Sequence, residues 1–212
     1  MNWEERYLQG DTGWNLHQPS PPLVHLMQHL PPEARNWSIL FPGAGESPDP
    51  AYWFSHGFKH VYVIDVSPTA RKSFLSHHPD FPAHQYLIQD FFELRESKWR
   101  LIVEQTFYCA IPPEQRQAYA ATMQRILLPE GELQGLWFER TFPFPGPPFG
   151  GNRHLYQSEL EPFLTLMEAE ICPHSASPRA GTELWMKWIP KPLHIKTTEG
   201  HSLVPQRSLP IE

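Results

Sequence analysis

The chain carries only two cysteines, Cys109 and Cys172, and they lack any CxxC spacing. No disulfide framework can staple it, and a reducing cytoplasm is the expected compartment. Positive charge is also scarce. Seventeen Lys and Arg stand against 23 Asp and Glu, a formal net charge of -6, so there is no basic footprint for nucleic acid or an anionic membrane. No apolar run approaches the roughly 18 residues of a membrane span. The opening "MNWEERYLQG" is acidic and aromatic, unlike a signal or transit peptide. No HExxH motif occurs among the twelve histidines, which read as surface or packing residues, and no metal is expected.

What is present suits one packed domain. Of 212 residues, 40% are hydrophobic and 13% aromatic, which excludes disorder. A chain of this length buries roughly 70% of its unfolded surface. Strand and helix patterns alternate. "WSILF" (37–41) is a short apolar run, followed by a glycine turn and the helix "DPAYWFSHG", with Asp49 near its positive end. "HVYVIDV" (60–66) is a second strand, and "SPTARKSFLSHH" a helix capped by Ser67 with Pro68 at its first position. "HQYLIQDFF" and "RLIVEQTF" give two more strands. "PPEQRQAYAATMQRILLPEG" is a helix, "GELQGLWF" a strand, "LYQSELEPFLTLM" a helix and "GTELWMKWI" a last strand. The alternation predicts a doubly wound α/β sheet with parallel pairing and helices on both faces, which binds ligands at the carboxyl ends of its strands. Gly43, Gly45, Asp65, Asp90 and Thr106 all fall at such ends. The domain is expected over 1–188, and 189–212 reads as a polar C-terminal tail.

The turn "ILFPGAGESPDP" (39–50) breaks an apolar run abruptly enough to bring backbone close to a nucleotide-like ligand. Asp65 lies twenty residues after Gly45, where an acidic side chain meets a ribose diol. The third glycine of the dinucleotide fingerprint is missing, and Pro48 removes an amide donor that a pyrophosphate would use. That disfavours an NAD-linked oxidoreductase. S-adenosylmethionine, which has the diol but no phosphates, tolerates both departures.

Five stretches then carry a resemblance: "WEERYLQGDTGWNLHQPSPPLV", "LFPGAGESPDPAYWFSHGFKHVYVIDVSPTA", "LIQDFFEL", "LIVEQTFYCAIPPEQRQAYAATMQRILLPEGEL" and "GPPFGG". Together with the match at "SPRAGTELW" they spread from residue 3 to about 188, and they resemble the thiopurine S-methyltransferase family with its thiol and halide methyltransferase branch. "PGAG" stands where many members have PGCG, and Ser47 where others often have glycine. The resemblance implies a seven-stranded, mostly parallel Rossmann-like sheet whose last strand is antiparallel. It also implies S-adenosylmethionine as cofactor and an N-terminal aromatic lid over about residues 1–25.

By the same resemblance, Trp3, Tyr7 and Trp14 form the lid, where an aromatic face suits a sulfonium. Gly43, Ala44 and Gly45 cradle the methionine tail, Asp65 with Val66 takes the ribose, and Asp90 with Phe91 reads the adenine. Glu104 and Thr106 close the end of the fourth strand near the methyl donor. A glutamate inside "LIVEQT" is costly to bury unpaired, so Glu104 is expected to face the cleft. Trp14, Phe107, Arg116, Phe149 and Arg179 are expected around the acceptor, with Glu104 and Arg116 closest to the chemistry.

The implied reaction is in-line methyl transfer to a soft nucleophile, a small-molecule thiol or thiopurine sulfur in the first place. Halide, hydrosulfide and selenium or tellurium species are the alternatives, and a non-catalytic module that only binds the nucleotide is another. Orientation supplies roughly 7 to 11 kcal/mol in such a reaction, and a thiolate needs no dedicated base. Neither nucleic acid nor membrane is an expected partner, and the protein is expected to be a monomer or weak dimer.

Overall fold

The computed structural model describes residues 1–193. Strand β1 (Ser38–Pro42) pairs in parallel with β2 (His60–Asp65) and with β4 (Trp99–Gln105). β3 (Tyr86–Ile88) extends the sheet beyond β2, and β5 (Leu127–Phe138) extends it beyond β4, both in parallel. β7 (Glu183–Pro190) runs antiparallel to both its neighbours, β5 and β6 (Leu164–Ile171). The spatial order is β3-β2-β1-β4-β5-β7-β6. The chain reverses direction across the sheet between β1 and β4, and ligands bind in the crevice left at such a switch point.

Period-two alternation divides the core into two layers. Ile39, Phe41, Val61, Val63, Leu101 and Val103 face one side, where they meet residues of α2 (Pro21–His29), α3 (Asp49–Ser55) and α4 (Pro68–His77). Leu40, Ile64 and Ile102 face the other, against α5 (Arg116–Ile126) and α6 (Arg153–Leu160). The same alternation puts Glu104 on the α5 side, in step with Ile102 and out of step with Val103.

Two expected elements are different. The helix expected through "PPEQRQAYAATMQRILLPEG" stops at Ile126, and Leu127 already opens β5, pairing with Trp99. The helix anticipated over "LYQSELEPFLTLM" stops at Leu160, and Leu164 to Ile171 form β6. Pro162 lacks the amide a continuing helix needs, and "LTLMEAEI" finds a full register of partners on β7. This is the seventh strand, which the pass along the sequence had not separated from the helix. β7 runs to Pro190, two residues past the expected domain edge. Of the tail expected over 189–212, residues 194–212 lie outside the described residues.

The N-terminal segment forms α1 (Trp3–Leu8), capped by the Asn2 side chain on the Glu5 amide. It docks on the start of α4, where the Glu4 carboxylate accepts from the Ser67 hydroxyl and from the Thr69 amide and hydroxyl. A carboxylate there also meets the positive end of the α4 dipole. No helix among the described residues is long and apolar enough to cross a membrane.

Candidate active site

A cavity of about 650 Å³ opens at the carboxyl ends of β1, β2 and β4. That size suits one small-molecule ligand or a pair of them. Its floor is the turn after β1. Gly43 and Gly45 hold φ of +58° and +53°, a region that side chains with a Cβ rarely adopt. A Cβ at Gly43 would overlap the Phe107 ring, and one at Gly45 the Tyr7 hydroxyl. The turn is therefore roofed by two aromatic rings, with glycine needed at both contacts.

Asp65 closes β2 and lines the cavity while buried. Its Oδ2 accepts from the Gly45 amide at 3.0 Å and its Oδ1 from the Ser67 amide at 2.9 Å. Each oxygen keeps further acceptor capacity for a diol. Burial pushes its pKa up to about 6, against the pull of those amides. Val66, half exposed, and Phe91 line the wall beside it. Asp90 also lines the cavity and caps the following turn by accepting from the Phe92 amide at 2.8 Å. At the end of β4, Thr106 has φ of +58°, unusual strain for a β-branched residue, and it too lines the cavity.

The lid packs as an aromatic corner. Trp14 meets Trp3 at 5.6 Å and Tyr7 at 5.8 Å, both edge to face. The Arg6 guanidinium lies 4.5 Å from the Trp14 centroid and pairs with Asp11 at 2.8 Å. Arg179 secures the corner from the far side. It donates to the Trp14 carbonyl at 2.8 Å and pairs with buried Glu183 at 3.4 Å. Trp3, Tyr7, Trp14, Phe107 and Arg179 all line the cavity.

Five expected site residues lie outside the cavity wall. Glu104 is fully buried, accepting from the Phe107 and Tyr108 amides at 2.9 and 2.8 Å and from the Tyr119 hydroxyl at 2.7 Å. Burial pushes its pKa up to about 7. It does not face the cleft, because its place in the β4 alternation turns it to α5 and three donors there satisfy it. Arg116 is also buried, 4.7 Å from the Tyr108 centroid and 3.3 Å from Glu159. Its Nε and Nη2 find no partner among the described residues. Phe149 sits near Arg116 and gives its backbone amide to the Cys109 carbonyl. Gly45 acts through Asp65, and Ala44 packs into the core behind the turn.

Other wall residues went unnoticed in the sequence: Arg6, Asp11, Cys109, Phe138 and Arg140. Trp3, Arg6 and Tyr7 share the i, i+3, i+4 face of a helix, so Arg6 was legible once the lid was read as helical. Cys109 and Arg140 carried no local signal. Burial pushes the Cys109 thiol well above its ordinary range, and its Sγ donates to the Thr106 carbonyl at 3.4 Å. His25 and His29, an HxxxH pair, stack 4.0 Å apart in α2 rather than converging on an ion.

The glycine turn, the buried carboxylate at the end of β2 and the largely apolar wall fit S-adenosylmethionine. The thiopurine S-methyltransferase family model matches residues 1–172. The chain belongs to the thiopurine S-methyltransferase family. It is 31% identical to a probable thiol methyltransferase 2 of Arabidopsis thaliana, covering 88% of this chain and 83% of that one. It is 30% identical to a thiocyanate methyltransferase 1 of Brassica oleracea over the same shares of the two chains. Its fold is that of a Burkholderia thailandensis 1,6-didemethyltoxoflavin-N1-methyltransferase solved with S-adenosylhomocysteine. The TM-score is 0.65 at 18% identity, covering 89% of this chain and 85% of that chain. Membership makes the protein an S-adenosylmethionine-dependent S-methyltransferase.

Proposed function

We propose that the acceptor is a soft nucleophile that enters the cavity already ionised, in the first place the thiolate of a small organic thiol. The observation that carries this reading is the composition of the wall. Among the described residues it holds no histidine, lysine or glutamate, and its three carboxylates, Asp11, Asp65 and Asp90, stand on the lid and at the ends of β2 and β3. Beyond the lid and the strand ends the wall is Ile111, Phe138, Phe142 and prolines, with Cys109, Gln115 and arginines among them. Such a wall can desolvate and orient an anion but offers nothing to take a proton from a neutral thiol. The relatives named for thiol and thiocyanate substrates agree with this class, and hydrosulfide or halide is the inorganic version of the same reading.

S-adenosylmethionine supplies a methyl already activated on a sulfonium. The chain's own residues bind, orient and exclude water. Asp65 accepts from the ribose hydroxyls, with Gly45 and Ser67 holding its rotamer. Val66, Asp90 and Phe91 border the adenine, and Gly43 lets the tail approach backbone. Trp3, Tyr7 and Trp14 cover the donor, and Thr106 and Phe107 border the transfer position. Glu104 and Arg116 act from behind the wall as positioning residues, since Glu104 holds the Phe107 and Tyr108 amides. Two free cysteines suit a reducing compartment such as the cytoplasm.

The test is kcat/KM against pH for two thiols of different acidity. Each profile is expected to rise with the ionisation of its own thiol. Measured with saturating S-adenosylmethionine, so that Asp65 stays ionised by bound donor, a common break near pH 6.5 for both would indicate a histidine base and overturn the reading.

A further inference from the structure

Two of the three arginines on the cavity wall have a carboxylate partner. Arg6 is matched by Asp11 and Arg179 by Glu183. Asp65 accepts two backbone amides, and Asp90 accepts one. Arg140 is left over. Its side chain has no salt bridge or hydrogen bond among the described residues, although the neighbouring Glu139 carboxylate is close in sequence. That carboxylate is turned away to accept from the Arg153 amide at 2.9 Å.

Arg140 is nevertheless held in place. Its carbonyl accepts from the Gly151 amide at 3.0 Å, and a Cβ at Gly150 would run into that same carbonyl. Its guanidinium lies 4.7 Å from the Phe142 ring centroid, and Phe142 in turn packs edge-on against Phe138 at 5.1 Å. A guanidinium stacked on an aromatic face keeps its planar fork free for a bidentate anion. Arg140 lines the same cavity as Asp65 and Asp90.

We infer that Arg140 is a specificity residue for acceptors that carry a fixed anionic group, of carboxylate type, in addition to the sulfur that is methylated. The inference rests on the thiol-methylation reading above. The sulfur lies toward the donor, and the second anion lies on the Arg140 fork at the rim. No atom of Arg140 takes part in the transfer itself.

The test separates charge from shape. With the S-adenosylhomocysteine complex, binding of 4-(methylthio)benzoate is compared with that of its neutral isostere 4-(methylthio)benzamide by titration calorimetry. In parallel, kcat/KM is measured for 4-mercaptobenzoate and 4-mercaptobenzamide, each at a pH where both thiols are ionised. The carboxylate is expected to bind about tenfold more tightly than the amide. R140Q is expected to bring that ratio close to one, and R140K to leave it between. Arg140 is exposed, so R140Q is expected to fold normally, checked by thermal unfolding. Equal binding of the two ligands to the wild-type protein, or a carboxylate preference that survives R140Q, overturns the inference. A carboxylate preference lost in R140Q with no turnover of any thiol sustains the anion site and overturns the thiol-methylation reading instead.

Discussion

Across the cavity the two halves are built from different materials. On the donor side the wall is strand ends and tight turns, and its carboxylates are tied to backbone: Asp65 to Gly45 and Ser67, and Asp90 to Phe92. On the acceptor side the wall is mainly rings and prolines, with Cys109, Ile111, Gln115 and two arginines. Arg140 there lacks any polar side-chain partner among the described residues. A donor common to a whole reaction class favours a rigid, fully bonded socket, since every fixed hydrogen bond avoids an ordering cost at binding. An acceptor chosen by one protein needs only shape, apolar surface and a few charges.

The sharpest way to break this comparison is to remove the lid, which belongs to the donor half but also shields the acceptor. Deletion of residues 1–14 takes away Trp3, Tyr7 and Trp14 while leaving every strand intact. The sheet is expected to fold, because only Tyr7 in this segment is buried. Turnover is expected to fall more than about 100-fold, equivalent to roughly 2.7 kcal/mol of barrier. Circular dichroism and a single-turnover assay report the two separately, and full activity in the truncated protein would show that the lid plays no part in catalysis.

Next in size is Asp65→Ala. Charge-assisted hydrogen bonds to the diol are worth about 1.5 to 3 kcal/mol, so S-adenosylhomocysteine should bind roughly ten- to a hundredfold more weakly. Calorimetry giving wild-type affinity in a folded variant would remove Asp65 from the donor half.

The donor half was the more legible in the sequence, for a physical reason. A glycine turn, a carboxylate twenty residues on and an aromatic terminus are each dictated by backbone geometry or by the ligand, so they leave marks at fixed spacing. Gly43, Asp65 and Asp90 line the cavity as their places at strand ends suggested, and so does Trp14, which the family resemblance supplied. Glu104 was legible as unusual but not as satisfied behind the wall, and Arg116 was marked only by the resemblance. Only the three-dimensional pairing of β4 with α5 reveals that Tyr119 and two amides satisfy the glutamate. Arg140 was illegible, because a loop arginine acquires meaning only when the other two arginines on the wall are seen to be ion-paired. β6 was hidden because a short amphipathic run after a helix shows its strand character only through its partner, β7.

A smaller effect sharpens the electrostatic contrast. Burial pushes the Asp65 pKa up to about 6, and the carboxylate accepts the diol only when ionised. As pH falls through 6, Asp65 takes up a proton, and binding must release it again. S-adenosylhomocysteine affinity should be flat above pH 7 and about tenfold weaker at pH 5. D65N, with no proton to gain, should be weaker throughout and flat over the same range. A wild-type profile that stays flat to pH 5 would mean that Asp65 is already ionised in the free protein over the whole range, and the contrast with the acceptor half would lose its charge component.

The smallest expected effect concerns Glu104, whose position behind both halves makes it the boundary of the comparison. If it worked in the cleft, loss of its charge would cost orders of magnitude in rate. Its bonding instead predicts that Glu104→Gln is tolerated. The amide oxygen can keep both backbone donors, and the new NH2 can donate to the Tyr119 hydroxyl oxygen. Turnover should stay within about threefold of wild type, or under roughly 0.7 kcal/mol of barrier. Stability gives the second readout. The folded pKa of about 7 lies above the ordinary value of 4.5, so the folded protein holds the Glu104 proton more tightly than the unfolded chain. The stability linked to that proton is fully present below pH 4.5 and is lost as pH rises through 7. Asp49 and Asp65, each pushed up by burial to about 6, slope the same way. The difference between wild type and E104Q therefore isolates Glu104. Urea midpoints measured from pH 4.5 to 7.5 should show the wild-type curve falling more steeply than the variant's. Parallel curves, or a rate loss of a hundredfold with the fold intact, would return Glu104 to the cleft.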